Sequence, residues 1–228
     1  MTLRATGFLA IRPEPGLSST VTLGRELGMT ITGQPLFEVR SRPWDCPDPA
    51  TIDGVLIGSA NAIRHGGDSL RQLTHKPVHA VGATTARVAE AAGFRVASSG
   101  SGGLQNVLDA ISGPARLLRL AGAERIDLES PPGIAIHTAV VYETVPLPFD
   151  PAVIDRLGDY PVVLLHSASA ATHFAAECDR LSLDRGLFAL CALGGRIADA
   201  AGAGWRAVHI APRPADLEML ESLRGACI

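Results

Sequence analysis

The chain has 228 residues, of which 46% are hydrophobic and only 4% aromatic, and its net charge is −3. That length suits one large domain or two small ones, and the apolar content rules out disorder. With no positive excess it lacks the field of a nucleic-acid binder, so an anionic ligand must be met by local donors.

The opening MTLRATGFLAIRPEPG is not a secretory signal, because its short apolar run is cut by Arg12 and Pro13. No stretch approaches the roughly 20 apolar residues that span a bilayer, so no membrane partner is expected. Cys46, Cys178, Cys191 and Cys227 are scattered without a C-x-x-C pair. Such lone thiols fit a reducing cytoplasm better than a disulfide framework or a zinc site.

In chain order, GFLAIRP reads as strand, followed by a turn with Ser18 and Ser19 and a short helix ending near Gly28. MTITGQPLFEVRSR is extended chain interrupted by Pro35, and RPWDCPDPA is loop. DGVLIGSANAI through LRQL predicts strand and helix. KPVHAVGATTARVAEAAGFRVA predicts strand, turn, a helix stopped by Gly93, and a new strand. SSGSGGLQNVLDAI is a glycine-rich turn opening a helix, and GPARLLRLAGAERIDL predicts strand followed by helix. IAIHTAVVYETVPLP is β-rich, after which PVVLLHSASAATHFAAECDRL and LFALCALGGRIADAAGAGWRAVHIA restart the alternation before a last helix from PADLEMLESL.

Strands alternating with helices of 10 to 15 residues mean βαβ units and parallel sheets. VLIGSANAI…VHAVGATTARVAEAAGFRVA also aligns with VLLHSASAAT…FALCALGGRIADAAGAGWRAV. The expected fold is therefore α/β, with two similar lobes of parallel sheet flanked by helices and joined by a two-stranded β linker. Residues 1–34 plus 147–228 form lobe 1, 44–137 form the inserted lobe 2, and 35–43 and 138–146 are the linker strands.

Each repeated turn places small polar residues at the carboxyl end of a parallel strand, where ligands of open α/β sheets bind. The first N–H groups of the following helix lack intrahelical partners and favour negative charge. Ser59, Asn61, Thr84, Thr85, Ser167, Ser169 and the backbone at Gly194 and Gly195 are candidates for holding carboxylates or phosphates. The same hydroxyls can instead cap their own helices. SSGSGGLQ lacks the G-x-G-x-x-G spacing of a nucleotide loop. His166 and His173 have no acidic or cysteine partner at ligand spacing and read as structural, so no metal is expected. Ser167 lacks the G-x-S-x-G of a nucleophile elbow. Tyr142, in VVYETVP, carries a phenol able to exchange a proton, although a strand tyrosine also serves packing.

IRP near the start, DGVLIGSANAI, VHAVGATTARVAEAAG, LLRLAGAER, VVYETVP, VVLLHSASAATHF and ALGGRIADAAGAG occur in an order and spacing that resemble uroporphyrinogen-III synthase. The resemblance runs through nearly the whole chain and implies a cofactor-free cyclase of tetrapyrrole biosynthesis, upstream of haem, sirohaem and cobalamin. It implies that linear hydroxymethylbilane, with eight carboxylates, loses water, inverts ring D through a spiro intermediate and closes to uroporphyrinogen III. Because the bilane closes spontaneously to the uninverted isomer, the protein must mainly fold its substrate. A hundredfold preference corresponds to about 2.7 kcal/mol of differential stabilisation.

By the same resemblance Tyr142 helps the hydroxyl leave. Taking this together with the helix-start turns, the residues expected to hold the substrate are Arg12, Ser59, Ala60, Asn61, Thr84, Thr85, Ser167, Ala168, Ser169, Gly194, Gly195 and Arg196. Ile11 precedes Arg12 where the family carries a threonine, and the departure that matters is Ile197, which stands where the second G-x-x-T-A turn carries its threonine. Either the backbone and Arg196 suffice there or that lobe binds more weakly. A monomer is expected, with hand-over of substrate from the preceding deaminase as its transient contact. The competing readings are a non-catalytic two-lobed module closing on a small anion and a nucleotide-dependent transferase resting on Gly100–Gly103.

Overall fold

A computed structural model describes residues 7–226; Cys227 lies outside them. The chain begins with β1 (Gly7–Ala10), α1 (Gly16–Glu26), β2 (Ile31–Gly33) and β3 (Phe37–Ser41). It continues through β4 (Gly54–Ile57), α2 (Asn61–His65), β5 (Pro77–Val81), α3 (Ala83–Ala91), β6 (Arg95–Gly100) and α4 (Leu104–Asp109). Then come β7 (Ala115–Gly122), β8 (Ile134–Pro146), β9 (Pro161–Leu165) and α5 (Ala168–Arg180). The last elements are β10 (Ala189–Ala192), α6 (Gly195–Ala200), β11 (Ala207–Ile210) and α7 (Asp216–Ala226). Two compact units result, Met1–Glu38 with Val145–Ile228 and Val39–Thr144, and the chain passes between them within β3 and β8.

The first unit is built on a sheet of order β11-β10-β9-β1-β2 in which each pair is parallel. Its central strand, PVVLL, is buried at every position, as a parallel strand covered on both faces must be. Alternation then sorts the side chains: Val163 and Leu165 join one core, Val162 and Leu164 the other. In the first core Phe174 meets Phe149 and Phe188 edge-on at 5.3 and 5.4 Å and stacks on Trp205 at 5.5 Å. The second core is closed by Leu17 from α1 and by Met219, Leu220 and Leu223 from α7.

A buried carboxylate ties this unit together. Glu177 on α5 accepts the Phe149 amide at 2.7 Å and a two-pronged contact from Arg180 at 2.8 and 2.7 Å. The Arg180 hydrogen bonds, with the Phe149 amide, outweigh burial and hold its carboxyl at about 2. A depressed carboxylate stabilises fully above its unfolded value, and that contribution disappears as pH falls. We expect Glu177→Gln to lower stability at neutral pH and to flatten the loss between about pH 4.5 and 2, as read by denaturant unfolding across that range. Parallel pH profiles for the two proteins would contradict the assignment.

The second unit carries a six-stranded sheet of order β3-β8-β7-β4-β5-β6. Val55 and Ile57 of β4 enter one core and Leu56 the other. The duplication seen in the sequence recurs as topology. In one unit β4, α2, β5, α3 and β6 follow one another, and in the other β9, α5, β10, α6 and β11, with neighbouring parallel strands in both.

Two elements differ from expectation. The helix after DGVLIGS is only five residues long, because the chain turns at Gly66 and Gly67, where Gly67 has φ +67°, and continues as a 3-10 turn over Asp68–Leu73. No helix follows β7; residues 123–133 are irregular, and β8 pairs parallel to β7 directly. Pro131, Pro132 and Gly133 prevent helix propagation there. The backbone of that segment is instead held by side chains: Arg119 Nη2 donates to Ile126 O at 2.7 Å, and the Gln105 amide bridges the Glu129 N–H and C=O at 2.9 Å each.

Candidate functional site

At the carboxyl ends of β4 and β7 the second unit encloses a cavity of about 340 Å³. Gly58 and Ser59 form one wall and Gly102 and Gly103 another, where α4 begins. Tyr142 reaches it from β8 because a register shift after Ala121 sets Gly122 opposite Tyr142, and Ala123 N–H donates to Tyr142 O at 2.9 Å. Gly122 is required by this approach, since a Cβ there would lie 2.7 Å from the Tyr142 ring and 3.0 Å from its hydroxyl. The ring is also flanked by His65, with centroids 6.4 Å apart. Its half-buried phenol has no hydrogen-bond partner among the described residues and is free to donate into the cavity.

Arg119, on β7, borders the same space with only 7% of its surface exposed. Its Nε is buried without a partner. Burial, with nearby Arg125, lowers its pKa, but a guanidinium stays charged at neutral pH.

The first unit has its own cavity of about 490 Å³ at the ends of β9 and β10, lined by His166, Ser167, Ala168, Gly194, Gly195, Arg196 and Ile197. Ser167 caps α5, its Oγ accepting the Ala170 amide at 3.1 Å. Replacing it by alanine should lower stability by about 1 kcal/mol in a denaturant titration; an unchanged midpoint would mean the cap carries no net energy. Ile197 packs partly against the first core and offers no donor. Beside the cavity, His166 Nε2 lies 3.3 Å from Asp216 Oδ1, while neither ring nitrogen completes a well-aligned hydrogen bond. Burial pushes Asp216 upward, yet His166, the Thr20 hydroxyl at 2.6 Å and the Arg12 charge outweigh it and hold the carboxyl at about 2.

The residues singled out from the sequence are thus placed unevenly. Tyr142 and Ser59 share one cavity. Ser167, Ala168, Gly194, Gly195 and Arg196 share the other. Ser59 Oγ also accepts the Asn61 amide at 3.2 Å, so it partly caps α2. Ala60 and Thr85 are buried, Thr84 and Ser169 are exposed, and Asn61 accepts from Arg64 at 3.2 Å; none of these five borders either cavity. Arg12 is engaged by Asp216 at 2.9 and 3.1 Å. His173 is structural, its Nε2 donating to Leu147 O at 2.8 Å. Sequence reasoning missed Arg119 and Asp216, the acidic neighbour of His166. The signal for Arg119 was a charge flanked by leucines in the middle of a strand, which is rarely buried without a purpose.

A model of the family described as HEM4, uroporphyrinogen-III synthase HemD, matches residues 18–221. Among solved structures, the uroporphyrinogen-III synthetase of Helicobacter pylori superposes with a TM-score of 0.65 at 17% identity, covering 97% of this chain and 99% of that one. A mutant uroporphyrinogen III synthase of Thermus thermophilus gives 0.50 at 18% identity, covering 96% and 98%. At such identities these two speak for the fold. No curated protein matches the chain. Since the family match takes in β4 to β11 and with them both cavities, the chain belongs to the uroporphyrinogen-III synthase family.

Proposed function

We propose that the chain performs the family's cyclisation of hydroxymethylbilane, with inversion of ring D and loss of water, using Tyr142 as proton donor. The observation that carries this reading is the unpartnered Tyr142 hydroxyl at a cavity built on the carboxyl ends of parallel strands. The phenol protonates the departing hydroxyl as its C–O bond breaks, so that water leaves and the pyrrole system takes up the positive charge. Ring D then attacks through its substituted carbon to give the spiro intermediate. The older bond from that carbon to the methylene of ring C then breaks, and the cationic methylene so released bonds to the free α carbon of ring D, which inverts the ring. The proton lost from that α carbon at final closure balances the one donated. Preorganised donors lower such a barrier without reorganising during the step.

A cavity of 340 Å³ takes a fragment rather than a whole linear tetrapyrrole. In this reading residues 35–43 and 138–146 link two lobes, and each lobe carries its own donors for carboxylates. In the first lobe the Ser167–Ala168 turn and the backbone at Gly194 and Gly195 supply the donors, with Arg196 replacing the hydroxyl that Ile197 lacks. In the second, Ser59 and the start of α4 do so. The reaction takes place in the cytoplasm, where the preceding deaminase hands over its unstable product. Isomer-resolved cyclisation of bilane tests the reading: inverted product above the spontaneous background is expected, and tight binding without product would favour a non-catalytic module.

A further inference from the structure

We infer that Arg119 is the seat of one substrate carboxylate, in a subsite for a pyrrole ring that also uses Ile126. The inference deepens the proposed function and rests on it. Four observations converge on this corner of the second unit. Arg119 is a buried cation, and no carboxylate lies within ion-pair distance of it among the described residues. Its single hydrogen bond, to Ile126 O, leaves the buried Nε unmatched. Its side chain borders both the 340 Å³ cavity and a second one of about 290 Å³, so it stands in the wall between them. Ile126, beside it on the irregular segment, is 85% exposed and lines the larger cavity.

An unpaired guanidinium in low dielectric is costly, and the cost is offset when an anion arrives with matching geometry. Glu124 and Asp127 also line the cavity, but both are exposed at its rim, and Arg125 stands between them in sequence. A flat apolar ring carrying carboxylates fits the combination: Ile126 and Leu104 face the ring and Arg119 Nε meets the acid. The same cavity presents the Tyr142 phenol, which places the seated ring close to the bond being broken. The missing helix after β7 is what makes this possible, since a helix there would cover Arg119 rather than leave an open segment.

The test has two arms. In the first, ¹⁵N-labelled protein is titrated with porphobilinogen, a monopyrrole bearing one acetate and one propionate, while arginine Nε–H resonances are followed. A resonance absent from Arg119→Lys should shift saturably; a resonance that stays put up to the solubility limit would overturn the inference. In the second, Arg119→Met should raise KM for the bilane by about 10- to 100-fold with kcat little changed, the pattern of lost uniform binding. Ile126→Ala, at an exposed site, should raise KM less without altering the unfolding midpoint. An unchanged KM in Arg119→Met would also overturn the subsite. If Arg119→Met does not fold, the titration of the wild-type protein decides. If the wild-type protein makes only uninverted product, the proposed function fails, and the titration still reports separately on the carboxylate seat.

Discussion

Tyr142→Phe is expected to lower kcat by about 100-fold or more while leaving the unfolding midpoint unchanged. The substitution removes only the hydroxyl, and that hydroxyl makes no hydrogen bond among the described residues whose loss would weaken the fold. The ring keeps its place over Gly122 and beside His65. A loss confined to kcat therefore reports on proton donation in the transition state rather than on binding. Spontaneous loss of water and closure continue in solution, so the variant should be read as a change in isomer ratio as well as in rate. An unchanged kcat would remove Tyr142 from the mechanism and leave substrate folding as the protein's whole contribution.

Gly122→Val should bring about a comparable loss by a different route. The new Cβ would sit 2.7 Å from two ring carbons of Tyr142, closer than side chains approach one another. The ring cannot follow by a backbone shift, because Ala123 N–H fixes the carbonyl of Tyr142 at 2.9 Å. It must turn away, and misplacement of a catalytic group by about 1 Å can cost on the order of 100-fold in rate. Overpacking should also lower stability by about 1 to 3 kcal/mol. If the two substitutions act through the same hydroxyl, combining them should cost little more in kcat than Tyr142→Phe alone. Additive losses would show that Gly122 serves the reaction in some other way.

Much of this arrangement was legible in the sequence, and the reasons are local. Parallel strands buried on both faces are short unbroken apolar runs, so VLI and VVLL stood out, and the serine and glycine turns after them fixed where the cavities form. Tyr142 was legible because its strand lies in a segment with a recognisable order of neighbours. What was hidden depends on partners far along the chain. His166 looked isolated, yet Asp216 sits beside it, brought there by α7 packing on the same core. Arg12 resembled a ligand residue, and the structure engages it with that same Asp216. The residues after β7 carried enough Ala, Glu and Arg to suggest a helix. Pro131, Pro132 and Gly133 outweighed that propensity, and Arg119 and Gln105 bound the exposed backbone instead. Thr84 and Thr85 lie in the first turn of α3, after a strand that repeats the pattern, and border neither cavity. Repetition of sequence thus located the turns without saying which side chains line a space.

The acid-sensitive pair, Glu177 and Asp216, also bears on how the variants are compared. Both carboxyls are held at about 2, so their contribution is intact at neutral pH. Kinetic comparisons made there are free of this source of instability.

The most direct test of the central claim is the isomer composition formed from hydroxymethylbilane. The bilane is supplied continuously by a coupled deaminase, and the products are oxidised and resolved chromatographically. With increasing protein the inverted isomer should displace the uninverted one until it dominates. Uninverted isomer alone at saturating protein, with the chain folded, would contradict the proposed activity.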